Sequence, residues 1–387
     1  MLLIKNADLY APAPGGRTDI LVAGGRIVRV SPGLQLPASL GEAIDADGFI
    51  AAPGFIDAHV HVTGGGGEGG YATRTPELRL SDAIAGGVTT VVGCLGTDGI
   101  TRSPAALLAK VRALEDEGLS AFMWTGHYAV PIRTLTGSIE QDLLFIDKII
   151  GVGEVAISDH RSTQPTFDEF ARVAAEARRG GILSGKAGVV NVHLGDGRRG
   201  LALLRRIVEE TEIPRTQFVP THINRNPSLF EEGIAWARDG GFVDLTTSTV
   251  PAFLADGEVK SSTGLRRMLE AGVGPGQITF TSDGQGSLPA FDAQGQLQRL
   301  EIGRVTSLFG EVRDAVVEEG VALGTALQVI TANPARALKL RGKGQIADGA
   351  DADIVLIEPR RLEVRGVIAR GRWLMKDGQA LVKGTFE

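Results

Sequence analysis

The chain has 387 residues, 43% hydrophobic and 22% charged, the balance of a soluble globular protein with room for one large domain and an appendage. A net charge of −6 without a basic cluster leaves no footprint for nucleic acid, and no apolar run approaches the ~18 residues of a membrane span. A single cysteine, Cys94, excludes an intrachain disulfide and fits a cytoplasmic protein, and residues 1–9 carry charge too early for a secretory signal.

Taken in order, residues 1–53 read as short strands at 2–7, 19–23, 26–30 and 50–52, with hairpin turns at Gly24-Gly25 and Asp47-Gly48. From Phe55 the pattern changes. Apolar strands are expected at 55–61, 88–94, 120–125, 149–154, 189–194, 217–222, 242–248 and 278–282. Helices are expected at 104–117, 167–179, 200–210, 229–239 and 264–271. Such alternation over about 230 residues predicts a (β/α)8 TIM-like barrel, and near-continuous apolar strands are what a parallel sheet buried on both faces needs. Helices follow at 304–319 and 322–337, the second ending near Asn333-Pro334. Strands return at 352–357, 364–370 and 372–376, with turns at Gly342 and Asp377-Gly378. Both ends are rich in strands, so residues 1–53 and 338–387 are expected to join as a small β-sandwich domain beside a barrel spanning 54–337.

The chemistry begins at Asp57-Ala58-His59-Val60-His61. Residues i and i+2 of a strand project to one side, so His59 and His61 aim two imidazoles at one spot, a spacing that suits a divalent metal such as zinc. His193, His222 and Asp283 each close another apolar strand, at the end where a barrel builds its site. One strand-end histidine is ordinarily a satisfied core residue; five such groups on four strands are better explained as ligands. His127 and His160 fit packing or supporting roles. Glu154, in Gly151-Val152-Gly153-Glu154, offers a carboxylate that bridges two ions or, on the bland reading, an exposed loop glutamate. With a bridge in place, water would be activated between the ions, and Asp283 would take its proton and pass it to the leaving group.

Several further strings stand out: Pro53-Gly54-Phe55-Ile56-Asp57-Ala58-His59-Val60-His61, Gly64-Gly65-Gly66-Gly67-Glu68, Leu95-Gly96-Thr97-Asp98, Ile157-Ser158-Asp159-His160-Arg161, Pro220-Thr221-His222-Ile223-Asn224-Arg225-Asn226 and Ser282-Asp283-Gly284-Gln285-Gly286-Ser287. Together they resemble the amidohydrolase superfamily and, within it, the bacterial isoaspartyl (β-aspartyl) dipeptidases, over essentially the whole chain. The resemblance implies a binuclear zinc-dependent dipeptidase with two Zn2+ per subunit, one held by His59 and His61, the other by His193 and His222. Asp283 would be both ligand and general acid/base. For the substrate, it implies that Glu68 meets the α-ammonium of the aspartyl residue. Thr97, Ser287 and the Gly-loop amides around Gly66 would hold its α-carboxylate. Arg161 and Arg225 would grip the leaving residue's carboxylate, and Tyr128 would donate to the developing oxyanion. It further implies a small dipeptide as the partner, no nucleic acid or membrane, and a homo-oligomer of order up to an octamer.

One departure concerns the bridge. The family usually carries a carboxylated lysine where Glu154 stands. A glutamate has the same single charge but is shorter, so its backbone must come closer to the metals. Lys186 lies at the entrance of a strand, the wrong end of the barrel for a replacement. A cyclic-amide hydrolase of the dihydroorotase or hydantoinase type is the alternative enzyme reading, though it has no use for an ammonium-binding Glu68 beside two arginines. A catalytically inactive, assembly-forming relative is the non-enzyme alternative, disfavoured because all the ligand positions are filled.

Overall fold

The structure is a computed structural model that describes residues 1–291, 294 and 296–387. The N-terminal segment supplies β1 (Leu2–Tyr10), β2 (Pro14–Ala23), β3 (Arg26–Val30), β4 (Glu42–Asp45) and β5 (Ile50–Pro53). The barrel strands are β6 (Phe55–Val60), β7 (Val88–Gly93), β8 (Ser120–Thr125), β9 (Ile149–Ile157), β10 (Val189–Leu194), β11 (Phe218–Thr221), β12 (Val243–Thr246) and β13 (Ile278–Thr281). A hairpin of β14 (Ser287–Phe291) and β15 (Leu297–Ile302) follows. The chain ends with β16 (Ile354–Glu358), β17 (Glu363–Ala369), β18 (Arg372–Lys376) and β19 (Gln379–Ala380).

Strands β6 to β11 form one parallel run, and β12 pairs in parallel with β13. Ile223 N donates to Asp244 O beside β12, and His61 N donates to Gly284 O beyond β13, so hydrogen bonds close the ring at both joints. Seven of the eight strands are buried along their whole length, which explains their nearly unbroken apolar sequences.

The two chain ends share one sheet, ordered β19-β18-β17-β16-β5-β1-β2-β3, with β4 also on β1. Its seam is the antiparallel pairing of β16 with β5, from Ile354 opposite Pro53 to Ile357 opposite Ile50. Gly54 is the hinge between this sheet and the barrel. Its amide donates to Asp353 O, and a side chain there would run into Thr89 and Asp353.

Several local expectations need correction. Asp47-Gly48 does not make a hairpin: it links β4 and β5, which both lie parallel to β1. The helix expected over 322–337 is two, Leu323–Gln328 and Ala332–Ala337, so that Pro334 falls in a first turn, where its missing N–H costs nothing. The β14–β15 hairpin and β4 went unread because their sequences are mostly polar or half-exposed.

Candidate metal centre and substrate pocket

The strand ends bring the candidate ligands together. His59 Nε2 lies 3.3 Å from Glu154 Oε2 and 3.7 Å from Asp283 Oδ1. His61 Nε2 lies 3.7 and 3.1 Å from the same two oxygens. The other oxygen of Glu154, Oε1, is 2.6 Å from His193 Nδ1 and 3.2 Å from His222 Nε2. One carboxylate thus turns one oxygen to each histidine pair. His222, directly after β11, and Asp283, two residues after β13, have positive φ, 62° and 52°, a backbone conformation that costs energy in residues other than glycine and clusters at functional sites.

Glu154 does not follow its strand but lies inside it. Opposite Val190 and Val192 of β10 stand Val152 and Val155 of β9, so β9 carries one extra residue, and Gly153-Glu154 form a bulge. From this bulge the short glutamate side chain reaches all four histidines. Gly153 is required there, because a Cβ would sit 2.8 Å from Asn191 Cβ.

Whether these residues fit a metal is decided by their unmet polar atoms. Among the described residues, His59 Nδ1 and Nε2, His61 Nδ1, Glu154 Oε2 and Asp283 Oδ1 are buried without a hydrogen-bond partner. Burying so many unpaired groups would be costly unless something else satisfies them. Ligand atoms about 2.1 Å from a tetrahedral zinc stand about 3.4 Å apart, inside the spread of the distances around His59 and His61. Two groups can each hold an ion: His59, His61, Cys94 and Glu154, and Glu154, His193 and His222. Burial works against charge on His59 and His61, yet Cys94 and the carboxylates raise both well above the usual histidine range, so the cage draws positive charge. His222, in contrast, is pushed down to about 3 by burial and by His193, and is neutral and ready to ligate.

The surroundings of the ligands are also built. Asp159 Oδ2 accepts from His193 Nε2 at 2.9 Å, leaving Nδ1 to face Glu154, and Thr246 Oγ1 lies 2.6 Å from His222 Nδ1. Asp57 accepts from the amide of Ser282 at 3.1 Å and from its hydroxyl, tying the His59 strand to the segment before Asp283. Lys186 donates to Leu143 O and Ile146 O, outside both ligand groups. His127 is buried against Gly99, and exposed His160 stacks edge-on to Phe291; neither joins a ligand group among the described residues.

Beside the ligands lies a small pocket whose walls include His61, Gly66, Glu68, Thr97, Tyr128, Arg161, His193, Arg225, Asp283 and Ser287. Every substrate residue expected from the sequence borders it. Glu68 Oε1 accepts from Ser287 Oγ at 2.9 Å, Thr97 Oγ1 at 3.3 Å and Arg161 NH1 at 3.4 Å, while Oε2 is buried and unpaired. Thr97 and Ser287 therefore stand on Glu68 itself. Arg161 is clamped by Asp159 at 2.7 Å, whereas Arg225 makes no ion pair among the described residues. The Tyr128 hydroxyl lies 2.9 Å from His193 Nδ1; burial, then the charge of Glu154, pushes its pKa well up, so it remains a donor. Cys94 and Asp159 were not foreseen as site residues. Their positions carried a signal nonetheless: Cys94 ends an apolar strand run, and Asp159 stands two residues before Arg161.

Comparison with known proteins agrees with this geometry. Residues 258–374 match the model of the amidohydrolase family. A solved β-aspartyl dipeptidase from Fervidobacterium islandicum AW-1, in complex with β-Asp-Leu dipeptide, is 47% identical, with a TM-score of 0.92 over 98% of both chains. A dihydroorotase from Leifsonia xyli subsp. xyli (strain CTCB07) is 28% identical over 393 residues, 90% of this chain and 85% of that protein. A D-hydantoinase structure shares the fold at 20% identity and a TM-score of 0.70. With the barrel, the strand-end histidines and a full-length relative at this identity in place, the chain belongs to the amidohydrolase family.

Proposed function

We propose that the protein hydrolyses the β-aspartyl (isoaspartyl) bond of dipeptides, releasing aspartate and an amino acid. The observation that carries this reading is one pocket beside the ligand cluster in which, apart from the mutually paired Asp98 and Arg102, a carboxylate, Glu68, stands with two guanidinium groups, Arg161 and Arg225. A β-linked aspartyl dipeptide brings one ammonium and two carboxylates, and the pocket supplies a partner for each. The 47% identical relative was solved with β-Asp-Leu, which supports the same assignment.

His59 and His61 would hold one divalent ion and His193 and His222 a second, with Glu154 shared between them and Asp283 against the first. Ions so held would polarise the scissile carbonyl and acidify water. Zinc suits the mixed imidazole and carboxylate donors.

The chain's own residues do the rest. Unpaired Glu68 Oε2 receives the α-ammonium, with Ser287 and Thr97 donating to the other oxygen; to hold the neighbouring α-carboxylate their hydroxyls would have to turn from Glu68 to the substrate. The amides of the loop around Gly66 border the same end. Arg225 takes the carboxylate of the leaving residue, assisted by Arg161. Asp283 Oδ1, unpaired beside His61, accepts a proton from the attacking water and returns it to the departing amine, so the C–N bond breaks to a neutral amine. Tyr128 O–H donates to the carbonyl oxygen as it gains charge.

The relatives named dihydroorotase favour a second reading, hydrolysis of a cyclic amide. Dihydroorotate carries no ammonium, so it would leave Glu68 Oε2 buried without a partner. The deciding experiment compares β-Asp-Leu, α-Asp-Leu and dihydroorotate with zinc-loaded protein. Turnover of β-Asp-Leu alone is expected; equal rates on the α-linked peptide would refute the assignment, and turnover of dihydroorotate alone would establish the second reading.

A further inference from the structure

We propose that Cys94 is a thiolate ligand of the ion held by His59 and His61, so that this site has a nitrogen, oxygen and sulfur donor set. The inference rests on the binuclear reading above. Cys94 follows β7 directly, and its amide donates to Val60 O at 3.0 Å, which pins it between the two histidines of the neighbouring strand. Its side chain is fully buried, and its sulfur, one nitrogen each from His59 and His61, and an oxygen of Glu154 lie within 4.8 Å of one another. The loop beyond Cys94 is tight against the same group: a Cβ on Gly96 would lie 2.8 Å from His61 Cε1.

A second observation points to a ligand at this spot. His59 Nε2 and Glu154 Oε2 are both buried and unpaired, and they lie 3.3 Å apart within the group that includes the sulfur. The competing explanation is that Cys94 merely fills space beside Ile56, Val92 and Trp124, as buried cysteines commonly do. Packing alone, however, leaves those two atoms unmet, whereas an ion shared with the sulfur satisfies both. The chemical consequence is selectivity. A thiolate favours zinc, cobalt or cadmium over manganese or magnesium, which prefer all-oxygen sets. The sulfur reaches one ion only, since Cys94 is absent from the group formed by Glu154, His193 and His222.

The test is X-ray absorption at the zinc edge of the zinc-loaded wild-type protein. Because Cys94 is the chain's single cysteine, the expected result is a sulfur shell at about 2.3 Å beside nitrogen and oxygen at about 2.0–2.1 Å, with one sulfur per pair of ions. In Cys94→Ser the sulfur shell disappears. Cobalt(II)-loaded wild-type protein should likewise show a near-ultraviolet thiolate-to-cobalt charge-transfer band that Cys94→Ser lacks. Zinc bound through nitrogen and oxygen alone in the wild type overturns the thiolate while leaving the metal reading intact. A protein that takes up no zinc overturns both. The wild-type spectrum decides even if the variants fail to fold.

Discussion

Asp159 accepts a hydrogen bond from His193 Nε2 at 2.9 Å, and the same carboxylate oxygen accepts from Arg161 NH2 at 2.7 Å. One side chain therefore orients a candidate metal ligand and a candidate substrate arginine together. Burial raises the Asp159 pKa, but the bonds from His193 and Arg161 outweigh it and hold the carboxyl far below its ordinary range, so it stays ionised. Asp159→Asn should weaken metal binding by roughly 10–100-fold, as loss of a ligand's orienting partner does, and should also raise KM. Chelator competition and steady-state kinetics measure the two separately. An unchanged metal affinity would restrict Asp159 to supporting Arg161.

Of the arginines lining the pocket, Arg102 and Arg161 are ion-paired and Arg225 has no ion pair among the described residues, which leaves it free for the leaving residue's carboxylate. A charge-assisted hydrogen bond contributes about 1.5–3 kcal/mol, so Arg225→Ala should lower kcat/KM on β-Asp-Leu roughly 10- to 150-fold. Amidating the substrate's C-terminal carboxylate should cost the wild type a similar factor and cost the variant little more. Additive losses would place the carboxylate elsewhere.

What could be read from sequence alone follows from how each residue announces itself. His59, His61, His193, His222 and Asp283 each end an apolar run, and the fold converts that linear sign into a common barrel mouth. The pocket residues were accessible only through whole motifs, because a lone Thr97 or Arg225 looks like any loop residue. Cys94 was hidden for the opposite reason: a buried cysteine at a strand end reads as packing. The bulge at Gly153-Glu154 was invisible because the register of β9 depends on its partner β10, and no local propensity encodes it. The partly exposed hairpin of β14 and β15, and the break before Pro334, likewise depend on tertiary pairing.

Asp244 offers a pH test of the architecture beneath His222. It is buried and accepts from Thr221, Thr279 and Thr281. Burial raises its pKa to about 6 despite those bonds. A carboxyl raised above its unfolded value of about 3.9 contributes stability that is complete below that pH and is lost as pH rises through about 6. The shift of about two units corresponds to about 3 kcal/mol. Asp244→Asn cannot ionise, so its stability relative to wild type should increase between pH 4 and pH 7 by up to that amount. Urea denaturation of metal-free protein at both pH values reads the difference; a constant offset would contradict the assignment.

Glu154→Gln keeps the shape of the side chain and removes its charge. If Glu154 is shared by two ions as proposed, both lose that anion and metal content should fall below two per chain. kcat should drop by more than the roughly 10–100-fold expected for a supporting residue. Added bicarbonate should change neither protein, because no lysine needs carboxylation. Full activity with two tightly held metals in the variant would remove Glu154 from the bridge.

Gly153→Ala tests the bulge that delivers that carboxylate. The new methyl would stand 2.8 Å from Asn191 Cβ and 3.0 Å from Asn191 O, with φ at +157°, so β9 or β10 must shift. Overpacking of this kind costs roughly 1–3 kcal/mol. The strain falls one residue from Glu154, so the substitution should reduce metal affinity as well as thermal stability. Val155→Ala, on the same buried strand just past the bulge, serves as control: it removes packing atoms and should cost stability without displacing Glu154. If the two variants are equally destabilised, only Gly153→Ala should lose metal. Equal metal retention in both would show that the position of Glu154 does not depend on the extra residue in β9.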